Sequence, residues 1–437
     1  MNIKVKNGRI WLKGIKEIEN NFIEVYIKNE NGKASFLTYI NKDGRIYIPI
    51  KIRKELKIKN DINIEKIDSV KGKDRENILI KKNEINIISI IPNKTLSNYE
   101  IIVLERDNKF HCWYSSKGRP KEIILNKKVS LQFARLLGYY QAESGKQKLK
   151  KRRGRELNFT NTKMSIIKDF IEMSGLLLDI RLWKARISYN KNLSKGELDN
   201  VIKDLKNLGI TQDKIKVKTV EKIKKYGIRL YIGNSILAET IDNLNNEIKE
   251  YIIRNNEITI FKNYLQGIIA GDGNFFSNRD KNGSLHSRMY IYEEKEEYII
   301  YHKKILESYG LNGKIKKDKN KNLYLLIISL NWNMLLKLLE YDLFNYAPHH
   351  KKRLIWSIKS HKKFRALKYL KEISKDFTAI ELNDITKMGS SNSTHWIRNR
   401  VKEGLIEQFT QNNKKSWILT DEGKKIKDLI NSLPSDF

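Results

Sequence analysis

Two nine-residue stretches carry an acid next to last, where an apolar helix should stay apolar: LLGYYQAES (136–144) and LQGIIAGDG (265–273). Each has Leu first, Gly third, a small residue seventh and a carboxylate eighth, Glu143 in one and Asp272 in the other. Glycine inside a helix costs about 1 kcal/mol against Ala, so Gly138 and Gly267 in register need a reason. Lacking side chains, they allow two helix backbones to approach closely, and Ala142 and Gly271 keep the same faces small. Helices crossing there would bring their last turns, and so the two acids, side by side. Adjacent carboxylates raise each other's pKa unless a cation lies between them. With hard oxygen donors, the expected ion is Mg²⁺, with Mn²⁺ able to substitute. The expected metal site is Glu143 and Asp272, with Ser144 and Gly273 beside them. Such a site facing phosphates activates water and stabilises the leaving oxygen, which is phosphodiester hydrolysis.

Charge points to the same partner. The 437 residues carry a formal net charge of +35, spread along the chain rather than gathered in a tail. Lys and Arg placed on phosphates release counterions, so double-stranded DNA is the expected partner. The blander reading is a Lys-rich surface in a proteome rich in Lys, Ile and Asn. Cys112 is the only cysteine, which excludes a disulfide framework and a thiolate metal cluster and suits a reducing cytoplasm. The first residues lack a signal-peptide apolar run and no apolar cluster is long enough to span a bilayer, so no membrane partner is expected.

The paired motifs resemble those of the LAGLIDADG homing endonucleases in their single-chain, two-motif form. The two acids lie 129 residues apart, and each motif opens a similar helix–strand course. The resemblance covers roughly 129–356, about half the chain, and the lead-in 119–144 is similar to that of archaeal members. It implies an α+β, pseudo-twofold fold of two repeats, 129–255 and 256–358. Their saddle-shaped antiparallel sheets would lie over the DNA major groove, with the motif helices at the interface of a monomeric core. It implies site-specific double-strand cleavage, one acid serving each strand. It also implies a helper lysine after the last helix of each repeat: Lys351 or Lys352, and Lys249. The first motif departs from the family in ending Glu-Ser-Gly. The polar, alternating runs 152–163 and 277–292 read as groove-facing strands, with Arg152, Arg153, Arg155, Arg279, Lys281 and Arg288 reaching phosphates or guanine edges. His349 and His350 read as turn or phosphate contacts, and EEKEE (293–297) as a solvated helix start. The chain lacks the terminal residues that protein splicing needs, so an intron-encoded or free-standing enzyme is expected rather than an intein.

Both flanks read as further DNA-binding modules. In the β-rich stretch 1–95, NGRIWL (7–12) is echoed by DGRIYI (43–48), each with a hairpin-type Asn-Gly or Asp-Gly. The second copy, continuing through Pro49 and Arg53, resembles the AbrB-type swapped-hairpin module, which implies DNA contacts from Arg45 and Arg53. That family usually completes its barrel from two chains, so a dimer through this module is one expectation; the echo raises the alternative that one chain supplies both halves. Residues 96–128 read as a linker with strand character. In 359–437, three helices (364–373, 379–389, 393–407), a hairpin and a last helix (421–431) resemble a winged helix-turn-helix. The third helix is expected to put Ile397, Val401 and Leu405 on one face. Ser393, Thr394, His395, Arg398 and Asn399 would face the groove, with Lys414 and Lys415 on the wing. A small helical dimerisation domain is the alternative there. For the whole chain, the competing functions are a non-enzymatic DNA-binding transcriptional regulator and an intron maturase.

Overall fold

The computed structural model describes residues 2–12, 22–40, 44–70, 72–73, 79–81, 83–95, 100–116, 119–143, 156–191, 195–221, 226–318, 323–373, 375–411 and 414–434. The chain divides into two compact units, Met1–Tyr251 and Ile252–Phe437. Among the described residues, no helix is long and apolar enough to cross a membrane.

The first unit opens with β1 (Asn2–Lys4), β2 (Arg9–Trp11), β3 (Phe22–Asn29), β4 (Gly32–Tyr39), β5 (Arg45–Tyr47), α1 (Ile50–Glu55) and β6 (Asp61–Ser69). One sheet runs in the order β1-β6-β3-β4, and β2 pairs separately with β5. That pairing is antiparallel and centred on Ile10 opposite Ile46, so the two GRI segments lie across each other in one chain. Matching bonds flank it: the Leu12 N–H donates to the Gly44 carbonyl at 2.9 Å and the Ile48 N–H to the Gly8 carbonyl at 3.0 Å. Gly8 and Gly44 sit at φ +72° and +69°, the left-handed region that glycine reaches without a Cβ clash. Alternating Ile23, Val25 and Ile27 join Ile10, Ile46, Ile48, Ile62 and Ile64 in a buried core. Then follow β7 (Ile80–Lys81), β8 (Glu84–Asn86), β9 (Ile102–Arg106), β10 (Lys109–Ser116), β11 (Arg119–Asn126) and β12 (Lys128–Ser130). Most of the expected linker is therefore an antiparallel sheet, β11-β10-β9.

The first motif helix, α2 (Ala134–Glu143), precedes β13 (Leu157–Asn161), α3 (Met164–Ser174), β14 (Lys184–Tyr189), α4 (Lys195–Asn207), β15 (Ile215–Thr219), β16 (Tyr226–Ile232) and α5 (Ser235–Asn255). The sheet order is β13-β16-β14-β15. One expectation is corrected here: β14 and β15 pair in parallel, so this sheet is mixed rather than antiparallel. Helix α4 connects them, and a parallel pair needs such a crossover.

The second unit has α6 (Ile258–Asp272), β17 (Gly273–Arg279), β18 (Leu285–Glu293), α7 (Glu296–Ser308), β19 (Lys314–Asp318), β20 (Leu323–Leu330), α8 (Trp332–Glu340) and α9 (Pro348–Ser360). Its sheet, β17-β18-β20-β19, is antiparallel throughout. The order β13-α3-β14-β16 matches β18-α7-β19-β20 strand for strand and pairing for pairing. What remains over in the first unit is α4 with β15.

A buried polar cluster backs the first motif helix, at the residue just before the motif. Arg135 grips Asp169 of α3 through Nε and Nη2 at 2.7 and 2.8 Å, and the Tyr139 hydroxyl donates to the same carboxylate at 2.8 Å. The equivalent place in α6 holds the fully buried Tyr264. Nearby, Glu293 pairs with His302 Nε2 at 2.9 Å. Glu293 is only 7% exposed, so the solvated helix start expected at 293–297 begins one residue later. Strand β18 extends through Glu293 and turns that side chain toward α7.

The chain ends with α10 (Lys362–Leu367) and a 3-10 turn, α11 (Ala379–Thr386), α12 (Ser390–Lys402), β21 (Ile406–Gln411), β22 (Lys414–Leu419) and α13 (Asp421–Asn431). Thr378 and Glu381 form a capping box at α11. Helix α12 is shorter than the run 393–407, because Gly404 at φ +70° turns the chain. The expected shared face is corrected accordingly. Val401 is 42% exposed and Leu405 lies beyond the helix, while Ser393, Trp396, Ile397 and Arg400 are buried.

Candidate nucleic-acid interface

Helix α6 passes into β17 without a loop: Asp272 is its last residue and Gly273 both caps it and begins the strand. A Cβ on Gly273 would stand 2.5–2.9 Å from the backbone of Ile269, so only glycine permits this junction. The half-buried Asp272 is thereby fixed at the start of the sheet. Strand β17 is an edge strand, and α9 closes its free side. The Phe275 N–H donates to His350 Nδ1 at 3.3 Å and the Phe275 carbonyl accepts from Arg353 at 3.1 Å. His350 is therefore a strand clip rather than a turn or phosphate contact, and its ring lies 3.8 Å from that of His349.

In the first unit, Glu143 closes α2 and accepts a hydrogen bond from Asn161 Nδ2 at 2.9 Å. Asn161 is the last residue of β13, and its Oδ1 accepts from the Lys163 N–H at 2.8 Å. This acid is thus tied to its sheet by a side chain. Burial pushes its pKa up, and the Lys163 ammonium opposes that only in part.

Each sheet has one apolar and one basic face, because strand residues alternate. In the first unit Leu157, Phe159, Ala185, Ile187, Ile228 and Leu230 are buried. The other face carries the row Thr160–Arg229–Arg186–Lys216, each opposite the next across four strands. Lys184 and Lys218 flank it on the same face, and Lys184, Arg186, Lys216 and Lys218 are exposed. Arg186 lies 5.9 Å from the Tyr231 ring, and Arg229 pairs with Glu156. In the second unit Phe275, Met289, Ile291, Leu326 and Ile328 are buried, while the outer face presents Arg288, Lys314 and Lys316. The half-buried Tyr290 and Tyr292 face Lys314 and Lys316 across Ile327 and Leu325 of β20, and the 45% exposed Phe276 stands opposite Arg288 on the edge strand. Cations interleaved with aromatics suit a polyanion with stacked bases.

Residues 261–332 match the family model of the LAGLIDADG-like domain. The matched stretch lies in the second unit, which is there similar to a LAGLIDADG-like domain. It includes Asp272 and all four strands β17–β20. Among solved structures the chain is similar to the homing endonuclease I-DmoI in complex with DNA and Mn, at 16% identity and TM-score 0.28, covering 49% of this chain and 96% of that one. It is also similar to full-length DUF199/WhiA from Thermatoga maritima, at 14% identity and TM-score 0.25, covering 62% of this chain and 90% of that one. No curated protein matches the chain.

The remaining expected site residues fall in several places. Ser144, Arg152, Arg153 and Arg155 lie outside the described residues. Gly138 and Gly267 are buried, Ala142 and Gly271 half-buried. Lys351 is bound to Asp342 at 2.8 Å, Lys352 is exposed on α9, and Lys249 is 2% exposed on α5. Arg288 lies on the open face, whereas Arg279 donates to the Ser360 carbonyl at 3.0 Å and Lys281 sits in the exposed turn between β17 and β18. Arg53 folds back, its Nη2 donating to the Tyr47 hydroxyl at 2.9 Å and its guanidinium filling the space where Gly8 has no Cβ. Arg45 is half-buried on β5, opposite Trp11. On α12, Thr394, His395 and Arg398 are exposed, and the Asn399 amide donates to His395 at 3.0 Å. Ser393 is fully buried and cannot face a groove: α12 begins at Ser390, which turns this residue inward. Lys414 and Lys415 are exposed on β22. Lys184, Arg186, Lys216, Lys218, Arg229, Lys314 and Lys316 were not singled out from the sequence. The alternation in KARISY, IKVKT and KIKKD carries the signal for most of them.

Proposed function

We propose that the protein is a site-specific DNA endonuclease of the LAGLIDADG type, making double-strand breaks by Mg²⁺-dependent hydrolysis with one acid per strand. One observation carries the reading: in each repeat the motif acid is anchored to a sheet whose uncovered face is basic. Asp272 runs directly into β17, and Glu143 is held by the end of β13. The basic faces would track the phosphates while Arg288, Tyr290 and Phe276 meet base edges.

The donor set fits Mg²⁺. Among the described residues no cluster of three His, Cys, Asp or Glu could cage an ion. Mg²⁺ characteristically takes one or two carboxylates, keeps waters and completes its shell with substrate phosphates. Glu143 and Asp272 are the carboxylates proposed to hold it, and Mn²⁺ would substitute. When bound, it supplies charge neutralisation and water activation. The chain's own residues orient the acids and bind the duplex, with Lys352 as the helper cation that remains exposed. The flanking modules add DNA contacts: Arg45 from an AbrB-like barrel completed within one chain, and Thr394, His395, Arg398, Lys414 and Lys415 from a winged helix.

A regulator that binds without cutting is the second reading. It is favoured by Glu143, whose raised pKa and hydrogen bond to Asn161 both weaken it as a metal ligand. Incubation with a randomised duplex library and Mg²⁺, followed by sequencing of ends, separates the two. Discrete double-strand ends that vanish in Asp272→Asn support the nuclease. Binding without ends, unchanged in Asp272→Asn and Glu143→Gln, establishes the regulator instead.

A further inference from the structure

The two sheets differ by an insertion. Helix α4 and strand β15 have no counterpart between β19 and β20, and β15 adds an outer strand to the first sheet beyond β14. This strand is unusual in composition. Ile215 is buried, but Lys216, Val217, Lys218 and Thr219 are all exposed. An edge strand usually hides its free backbone or defends it with charge. Charge alone does not explain the placement here, because the lysines continue a pattern. Lys216 stands opposite Arg186 and Lys218 opposite Ser188, so both extend the basic face outward.

Helix α4 leaves that face open. Tyr226 and the buried Ile228 share the opposite, apolar side of β16. Burial raises the Tyr226 phenol, and Asp204 and Glu197 of α4 add to the effect. Asp204 and Glu197 thus act on Tyr226 at the apolar side, while Lys216 and Lys218 stand on the open side. A segregation of this kind fits a polyanion and disfavours an acidic peptide, which would need an apolar groove as well as cations.

We infer that the α4–β15 insertion is a phosphate-binding extension of the first repeat, in which Lys216 and Lys218 grip the backbone of duplex DNA beyond the reach of the shared sheet. The inference rests on the proposed DNA-binding reading and makes the two halves unequal: the first repeat holds DNA more strongly through charge and contributes less through bases. Val217, between the two lysines and pointing the other way, takes no part.

The test is the salt dependence of binding to a long mixed-sequence DNA duplex in EDTA, where no cleavage occurs. Each phosphate contact contributes about 0.9 to the slope of log K against log salt, so Lys216→Ala/Lys218→Ala should lower the slope by about 1.8. Between 50 and 200 mM salt the wild type should therefore lose about 12-fold more affinity than the variant. Lys216→Arg/Lys218→Arg should keep the wild-type slope, as should Lys203→Ala/Lys206→Ala on α4. A double-alanine slope equal to wild type, with binding intact, overturns the extension and leaves the DNA-binding reading standing. An equal loss from the α4 pair overturns it too, since general charge would then explain the effect. A wild-type protein that binds no DNA duplex, or binds an RNA duplex in preference, overturns both.

Discussion

At the scale of single residues, the two motif acids are not equivalent. Asp272 is placed by a glycine that nothing else can replace, whereas Glu143 is placed by an asparagine and partly withdrawn from water. A raised carboxyl pKa in the folded state means that folding favours the protonated form. Its stabilising effect is present at low pH and is lost as pH rises through the folded-state value. Glu143→Gln keeps an oxygen for Asn161 and removes the buried charge, so it should raise Tm at pH 7 and leave it unchanged at pH 4, as a thermal melt at both pH values will show. If ionised Glu143 helps hold Mg²⁺, the ion should raise the Tm of the wild type more than that of the variant. Gly273→Ala is the complementary change. Forcing a Cβ into the Ile269 backbone should cost about 1–3 kcal/mol in urea denaturation. Much of this was legible in sequence, because a carboxylate at the eighth place of two matched helices survives as a pattern. The hold of Asn161 on Glu143 was not, since it joins residues 18 apart through a fold that no local pattern records.

At the scale of elements, the two motif helices differ in what backs them: a buried ion pair in the first and the buried Tyr264 in the second. Arg135 and Tyr139 both bind the Asp169 carboxylate in the first, and removing that charge takes away the counter-ion that Arg135 grips. Asp169→Asn should therefore destabilise the first unit by about 3–5 kcal/mol, measured by denaturant unfolding, whereas a paired apolar replacement should cost far less. Strand β17 shows why the HHKKR run misleads when read alone. Its histidines and basic residues suggest chemistry, but His350 and Arg353 satisfy the free edge of an outer strand. The parallel pairing of β15 was equally hidden. A helix followed by a short lysine-rich strand reads the same whether the strand joins its sheet from one direction or the other. Buried Glu293 escaped because a run of acids looks solvated until the strand that carries it is known to end one residue later.

At the scale of the whole molecule, the charge of +35 finds a structural outlet in two sheets with uncovered basic faces. In the N-terminal module β2 pairs with β5 of the same chain. The protein should therefore sediment as a monomer over a wide concentration range, and a concentration-dependent dimer would contradict the intrachain reading. The motif was enough to anticipate the helix ending on Asp272 and the family-like stretch that follows it. The inserted strand, the closed N-terminal pairing and the basic rows depend on register, which becomes visible only when strands are set side by side. The central claim is catalytic, and one comparison tests it most directly. On a duplex recovered by selection, wild type and Asp272→Asn are compared for binding in EDTA and for cleavage in Mg²⁺. The account predicts equal binding and a loss of cleavage of about 10²-fold or more. Cleavage that persists at the wild-type rate in Asp272→Asn, or its absence from the wild type, would contradict it.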